Sequence, residues 1–282
     1  MRVLVLATGV ADLSPAAAGA EVAGAWAALG HQVAVVGMGT GGAGLVDAVA
    51  GISGVAVVAP GAGESSEDAG HAIARAVDAG ADTVLLDLTG DCPDDAGAGL
   101  LGALGGRAVK VVGVVRPEEL EAPLLGVRGV AAHRAYGSGT PDIAAALSGD
   151  AALTRLAESL GVAEPPPGAG AGNGMGLAVV ALGGTIRTAP QAIADLVGLE
   201  RSLAAADLVV VVTDALDFGG AGVTETQAAS AWAAEALVPC LAIADRVHIS
   251  GRELRTFGVE SAYAAEGDLA GCAARVARTW NW

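Results

Sequence analysis

Val84-Leu-Leu-Asp-Leu-Thr-Gly-Asp-Cys-Pro-Asp-Asp-Ala-Gly-Ala-Gly-Leu-Leu-Gly-Ala-Leu104 decides the fold class. It opens on an apolar run at 84–88 with almost no polar alternation. It then crosses a turn of Gly, Pro and Asp, and closes in an Ala/Leu stretch at helical spacing over 95–104. A run that is apolar on both faces suits a strand of a parallel sheet covered by helices. Similar runs stand at 3–6, 33–36, 55–58, 109–115, 208–212 and 241–244, each bounded by turn residues. Between them lie Ala-rich helical stretches near 66–79, 150–160, 176–182, 224–236 and 268–278. Another begins at Ser14-Pro15, an N-cap followed by proline at the first helical position. This strand–helix alternation predicts an α/β fold, a doubly wound parallel sheet flanked by helices.

Composition narrows the function classes. A chain of 282 residues can bury one large core or two modest ones. Hydrophobic residues at 53% exclude disorder, and only 3% aromatics mean a core of Ala, Val and Leu. A net charge of −16 with no basic run argues against nucleic acid, whose phosphates need a basic stripe. Cys92, Cys240 and Cys272 are odd in number and far apart, which suggests small buried hydrophobes rather than disulfides or a zinc site. The N-terminus turns polar too soon for a signal peptide, and no apolar stretch reads as a membrane span. A cytoplasmic protein without membrane contact is expected. Glu164-Pro-Pro-Pro-Gly168, running on to Gly176, reads as a Pro/Gly-rich junction (164–176) between two parts of one unit, 1–282.

Ligands of open parallel sheets collect at the carboxyl ends of strands. There the chain places Gly37-Met-Gly-Thr-Gly-Gly-Ala-Gly44, whose Gly41 and Gly42 amides at a helix start could hold an anion. Asp87, Asp91, Asp94 and Asp95 follow the quoted strand, where Mg²⁺ binding and plain helix capping are both open readings. Thr213-Asp-Ala-Leu-Asp-Phe-Gly-Gly-Ala-Gly222 adds Asp214 and Asp217. The strands ending near Val36, Leu88 and Val212 are expected to be neighbours opening on one cleft. Within it Gly41, Gly42, Gly90, Gly170 and Gly172 would bind a small anion through backbone amides.

Five segments in order make the chain resemble the glycerate kinases of the Gly-rich, non-P-loop type. They are 38–49, 89–101, 122–140, Pro167-Gly-Ala-Gly-Ala-Gly-Asn-Gly-Met-Gly176 and 206–217. They stand where that family has ALADGGEGTVDAL, GGSATNDGGAGML, NPLLG…GAA…FGPQKGA, PGAGAAGGLG and ADLVITGEGRLD. The resemblance implies ATP-dependent phosphotransfer to glycerate with Mg²⁺. In this sequence it implies Asp95 and Asp217 as catalytic and metal-holding residues, with Asp214 beside the ligand.

The glycines of these motifs are kept and most charges are not. The family's Asp and Glu in DGGEG are Thr40 and Ala43, its Gln-Lys is near Gly137 and Ser138, and Glu and Arg of GEGRLD are Thr213 and Ala215. Lys110, the single lysine, lies in no motif; Arg128 and Arg134 are the cations left to compensate. Sequence is also missing around 60–66 and 105–110, which implies that the second, lid-forming lobe is reduced or absent. The favoured expectation is a non-catalytic or repurposed paralogue. Its partner would be a small organic acid, a phosphate-bearing ligand or another protein, with a homodimer open. A working kinase using ATP and Mg²⁺ in a rebuilt site, and an enzyme of different chemistry in the same cleft, are the alternatives.

Overall fold

Strands buried on both faces need helices on both sides, and the chain supplies one or more helices between successive strands. The computed structural model describes residues 1–137, 142–217 and 221–282, with the backbone alone at 221–223. It begins with β1 (Arg2–Ala7), α1 (Pro15–Ala27), β2 (Gln32–Gly37) and α2 (Gly42–Val49). Next come β3 (Val55–Val58), α3 (Glu67–Asp78), β4 (Thr83–Asp87), α4 (Ala98–Leu104) and β5 (Lys110–Val115). A short 3-10 turn, Pro117–Glu119, leads to α5 (Val130–Gly137), α6 (Ile143–Ser159), α7 (Gly176–Ala181) and β6 (Thr185–Thr188). The last part holds α8 (Ala189–Val197), α9 (Leu199–Ala205), β7 (Leu208–Leu216), α10 (Ala221–Glu235) and β8 (Cys240–Val247). It ends with α11 (Gly251–Leu254), β9 (Ser261–Ala264) and α12 (Leu269–Thr279).

Two units result, Met1–Gly51 with Ala189–Trp282, and Ile52–Thr188. The first carries a five-stranded parallel sheet in the order β2-β1-β7-β8-β9. Val5 of β1 pairs with Val35 on one side and Val210 on the other. Successive residues of β1 serve opposite faces: Val3 and Val5 pack with Val22 and Trp26 of α1 and Val276 of α12, while Leu4 and Leu6 are equally buried on the other face. The absence of polar alternation therefore has a direct cause. Trp280 docks on this core, donating its indole N–H to Tyr263 Oη at 2.8 Å, and Trp282 stays exposed.

The second unit carries a four-stranded parallel sheet, β3-β4-β5-β6, in which Leu85 pairs with Val57 and Val112. Val84, Leu86 and Leu88 pack on Ile73, Leu100 and Leu104 of the flanking helices. α3 and α4 cross closely because Gly70 has no side chain; a Cβ there would lie 2.5 Å from the Leu100 carbonyl oxygen. Among the described residues no helix is long and apolar enough to cross a membrane.

The α/β class with parallel sheets and flanking helices is as expected, and the strands are shared between two sheets. One expectation is corrected. β2 and β7 do flank β1, but β4 belongs to the other sheet, so the ends near Val36, Leu88 and Val212 are not three neighbours. Residues 164–176 lie inside the second unit, and the chain passes between units at 51/52 and 188/189.

α10 buries one group that fits its surroundings poorly. Glu225 is 3% exposed and its Oε2 has no hydrogen-bond partner among the described residues. Burial pushes its carboxyl up from the ordinary 4.5 to about 7. The native state thus holds this proton more tightly than the unfolded chain does. The stability it retains is complete below about pH 4.5 and is lost as pH rises through 7, by on the order of 3 kcal/mol. Glu225→Gln is expected to melt several degrees above the wild type at pH 8 and to match it at pH 4. Equal melting at both pH values, followed by circular dichroism, would show that the carboxylate is not stranded.

Candidate functional site

Parallel strands deliver their following loops to one edge of the sheet, and in the second unit those loops enclose a cleft of about 810 Å³. Gly90, Asp91 and Cys92 come to it from β4, and Arg116, Glu118 and Glu119 from β5. Arg128, Gly129 and His133 come from the start of α5, and Gly170, Gly172 and Asn173 from the glycine loop. The expected Gly90, Gly170 and Gly172 are therefore brought together. Arg128 and His133 join them, and of these only Arg128 stood out in the sequence as a possible ligand group.

The glycines are there chiefly for packing. A side chain on Gly170 would overlap the carbonyl of Pro123, and its amide donates to the Ala122 oxygen at 3.0 Å. Gly172 has φ +54°, a Cβ on it would meet Leu88, and its amide donates to Glu119 Oε1 at 3.3 Å. These two amides are not bare, contrary to expectation. Gly90, exposed and with open space around it, is the one of the three whose amide has no partner among the described residues.

The four aspartates after β4 take different roles. Asp87 accepts from the Thr89 amide and hydroxyl at 3.0 and 2.7 Å, closing its own turn. Asp94 is held by Asn173 and by Arg134, whose guanidinium also grips the Asn173 backbone oxygen at 2.8 Å. Arg134 is thereby committed to bracing the loop. Asp91 remains on the cleft wall. Asp95 accepts from the Ser66 amide at 2.8 Å, the Ser66 hydroxyl at 2.9 Å, and the Gly97 and Gly99 amides, each at 3.0 Å. Burial pushes its carboxyl up, and these hydrogen bonds outweigh it and hold it below the usual range. Both oxygens are thus engaged in joining the starts of α3 and α4, which is the capping reading of this residue.

The remaining expected residues lie in the first unit. Gly41 and Gly42 open α2. Asp214, near the end of β7, accepts from the Ala11 amide at 3.1 Å and pairs with Arg246 on the adjoining β8. The Ala11 bond, partly offset by burial and aided by Arg246, lowers its carboxyl. It pins the turn after β1, where Ala11 sits at φ +50°. Asp217 follows β7 in the same unit, half-buried. Asp95 and Asp217 belong to different units, and among the described residues no group of three or more His, Cys, Asp or Glu could hold a metal ion. Ser138 and residues 218–220 lie outside the described residues.

Cys92 is held in its thiol form. Burial, together with the charges of Glu119 and Asp87 and against that of Arg116, pushes its thiol up to about 12. Of the side chains on the cleft, Arg128 and His133 carry no hydrogen bond or ion pair among the described residues, and Asp91 has no partner either. The cleft thus offers Arg128 as an unpaired cation, the His133 imidazole, the Gly90 amide and the start of α5, together with carboxylates and the paired Arg116. For the Asp95 clamp, Asp95→Ala is expected to cost about 2 kcal/mol or more, because it strands the Ser66 and glycine donors. Urea denaturation measures this, and an unchanged midpoint would show that α3 and α4 hold together without it.

The glycerate kinase family model matches residues 107–279, well over half of the chain. An uncharacterized protein of Mycobacterium bovis and one of Mycobacterium tuberculosis are each 30% identical over 207 residues. That stretch covers 70% of this chain and 54% of theirs, so the chain spans about half the length of these curated relatives. The crystal structure of "putative glycerate kinase 2" from Salmonella typhimurium LT2 is 20% identical and superposes with a TM-score of 0.74, covering 99% of this chain and 98% of that one. That likeness is one of fold. The chain belongs to the glycerate kinase family.

Proposed function

We propose that the cleft of the second unit binds a small hydroxy acid carrying one carboxylate, and that the chain transfers phosphate to it slowly or not at all. The observation that carries this reading is the pairing of uncommitted Arg128 and His133 with uncommitted Asp91 on one 810 Å³ cleft. A carboxylate meets Arg128 in a charge-assisted, two-pronged bond, supported by the Gly90 amide and the start of α5. Hydroxyl groups donate to Asp91 and Glu118. A free phosphate dianion would face those same carboxylates. Glycerate, the substrate in the family's name, has one carboxylate and two hydroxyls, and fits this division of charge.

Phosphoryl transfer asks for more than binding. It depends on cations and metal positioned over the group in flight. The single lysine, Lys110, begins β5, whereas the cleft lies beyond that strand's other end, Val115. At the rise of an extended strand that separation is roughly 15 Å. Arg134 is spent on Asp94 and Asn173, and Asp95 on its helix clamp. Losing one transition-state donor costs roughly 10²–10³ in turnover, and several of the family's charges are missing here.

Isothermal titration with D-glycerate should give binding that weakens at least about tenfold in Arg128→Ala, the worth of one charged hydrogen bond. Equal affinity in the variant would remove the cleft from consideration. A coupled ADP-release assay with D-glycerate, ATP and Mg²⁺ should stay well below about 1 s⁻¹, the lower end of ordinary turnover. A faster rate, abolished in Asp217→Asn, would establish a working kinase with a rebuilt site.

A further inference from the structure

The wall of the cleft contains a carboxylate that behaves as a bound ligand. Glu119 closes the 3-10 turn after β5, and its side chain is 20% exposed. Its Oε2 accepts from Arg116 Nε at 3.3 Å, and its Oε1 accepts from the Gly172 amide at 3.3 Å. A cation and a glycine-loop amide converging on one anionic group are what an incoming phosphate oxygen would seek. Both bonds are long for charge-assisted contacts, so the carboxylate sits over these donors without a tight grip. Glu118, 3.7 Å from the same guanidinium, adds a second negative charge to that side.

We infer that Glu119 is a specificity-determining residue of the cleft: it occupies the donors that a second negative charge would need, and so turns phosphate dianions away in favour of singly charged hydroxy acids. This rests on the reading of the cleft as an organic-acid site. The physical logic is discrimination by repulsion. A singly charged acid sets its one carboxylate on Arg128 and only hydroxyls toward the carboxylates of the cleft. A dianion placed there meets Glu119 and Glu118 unless it displaces one of them. Glutamine at this position keeps the shape and an oxygen for the Gly172 amide, and removes the charge that repels.

The test compares two probes, inorganic phosphate and D-glycerate, by isothermal titration at pH 8 against the full chain and Glu119→Gln. Glu119→Ser serves as a second variant in case the first folds poorly, with melting curves to certify each. The expected result is phosphate affinity raised about tenfold or more in the variants, with glycerate affinity changed less than about threefold, so that the ratio shifts. A residue that merely braced the glycine loop would weaken both probes together, and that outcome overturns the inference. An unchanged ratio, with glycerate binding still sensitive to Arg128→Ala, also overturns it while leaving the organic-acid reading intact. If neither probe binds the wild type or any variant, the organic-acid reading fails and takes this inference with it.

Discussion

Much of the second unit depends on backbone approaching backbone at its glycine loop. No side chain fits on Gly170 against the Pro123 carbonyl, or on Gly176 against that of Gly168. Gly168, Gly172 and Gly174 take positive φ, and Asn173 at φ +61° is held there by Arg134. A Cβ on Gly170 would push the Pro123 segment away from the loop, and one on Gly172 would push the loop away from Leu88 at the end of β4. Most amides of 168–176 donate within the loop or to Ala122, and the Gly172 amide goes to Glu119, which makes the loop a braced wall.

That constraint explains which family features persist. A glycine required by packing and φ cannot change without loss of stability, whatever the protein does. A side-chain charge over a ligand can change freely once the reaction it served is no longer selected. Retained glycines therefore report the fold, and they say little about catalysis. Asp95 gives the same lesson from the other side. It is a carboxylate kept in a family motif, and its four hydrogen bonds tie Ser66 to the start of α4.

The strands were legible where physics leaves a local trace. Seven apolar runs became β1, β2, β3, β4, β5, β7 and β8, and in β1, β4, β5 and β7 burial on both faces leaves little room for polar alternation. β6 (Thr-Ile-Arg-Thr) and β9 (Ser-Ala-Tyr-Ala) are four-residue edge strands, too short and too polar to stand out. The division into two sheets left no local signal, because each strand–helix unit looks alike whichever sheet it joins. Gly90, Gly170 and Gly172 were legible as cleft residues from their place after strands or in a family motif. The engagement of the last two amides was not, since Glu119 stands 53 positions before Gly172. His133 carries no ligand-spacing signal in the sequence, and its place on the cleft comes from α5 starting there.

In the first unit, strand order makes an argument that composition cannot. From β1 the chain moves outward one way to β2, and from β7 the other way to β8 and β9, so the order reverses between β1 and β7. Such a switch point opens a crevice at the carboxyl ends of the two strands, the usual ligand position in open α/β sheets. Here Thr8 Oγ1 donates to the Val212 oxygen across that boundary, and Asp214 ties the Ala11 turn to Arg246. Thr8 and Asp214 are thus engaged in closing that crevice. Binding survives on few contacts, whereas catalysis needs groups free to follow charge as it develops in the transition state. Carboxylates turned inward to hold turns and helix starts, as Asp95 and Asp214 are, are not free to follow that charge.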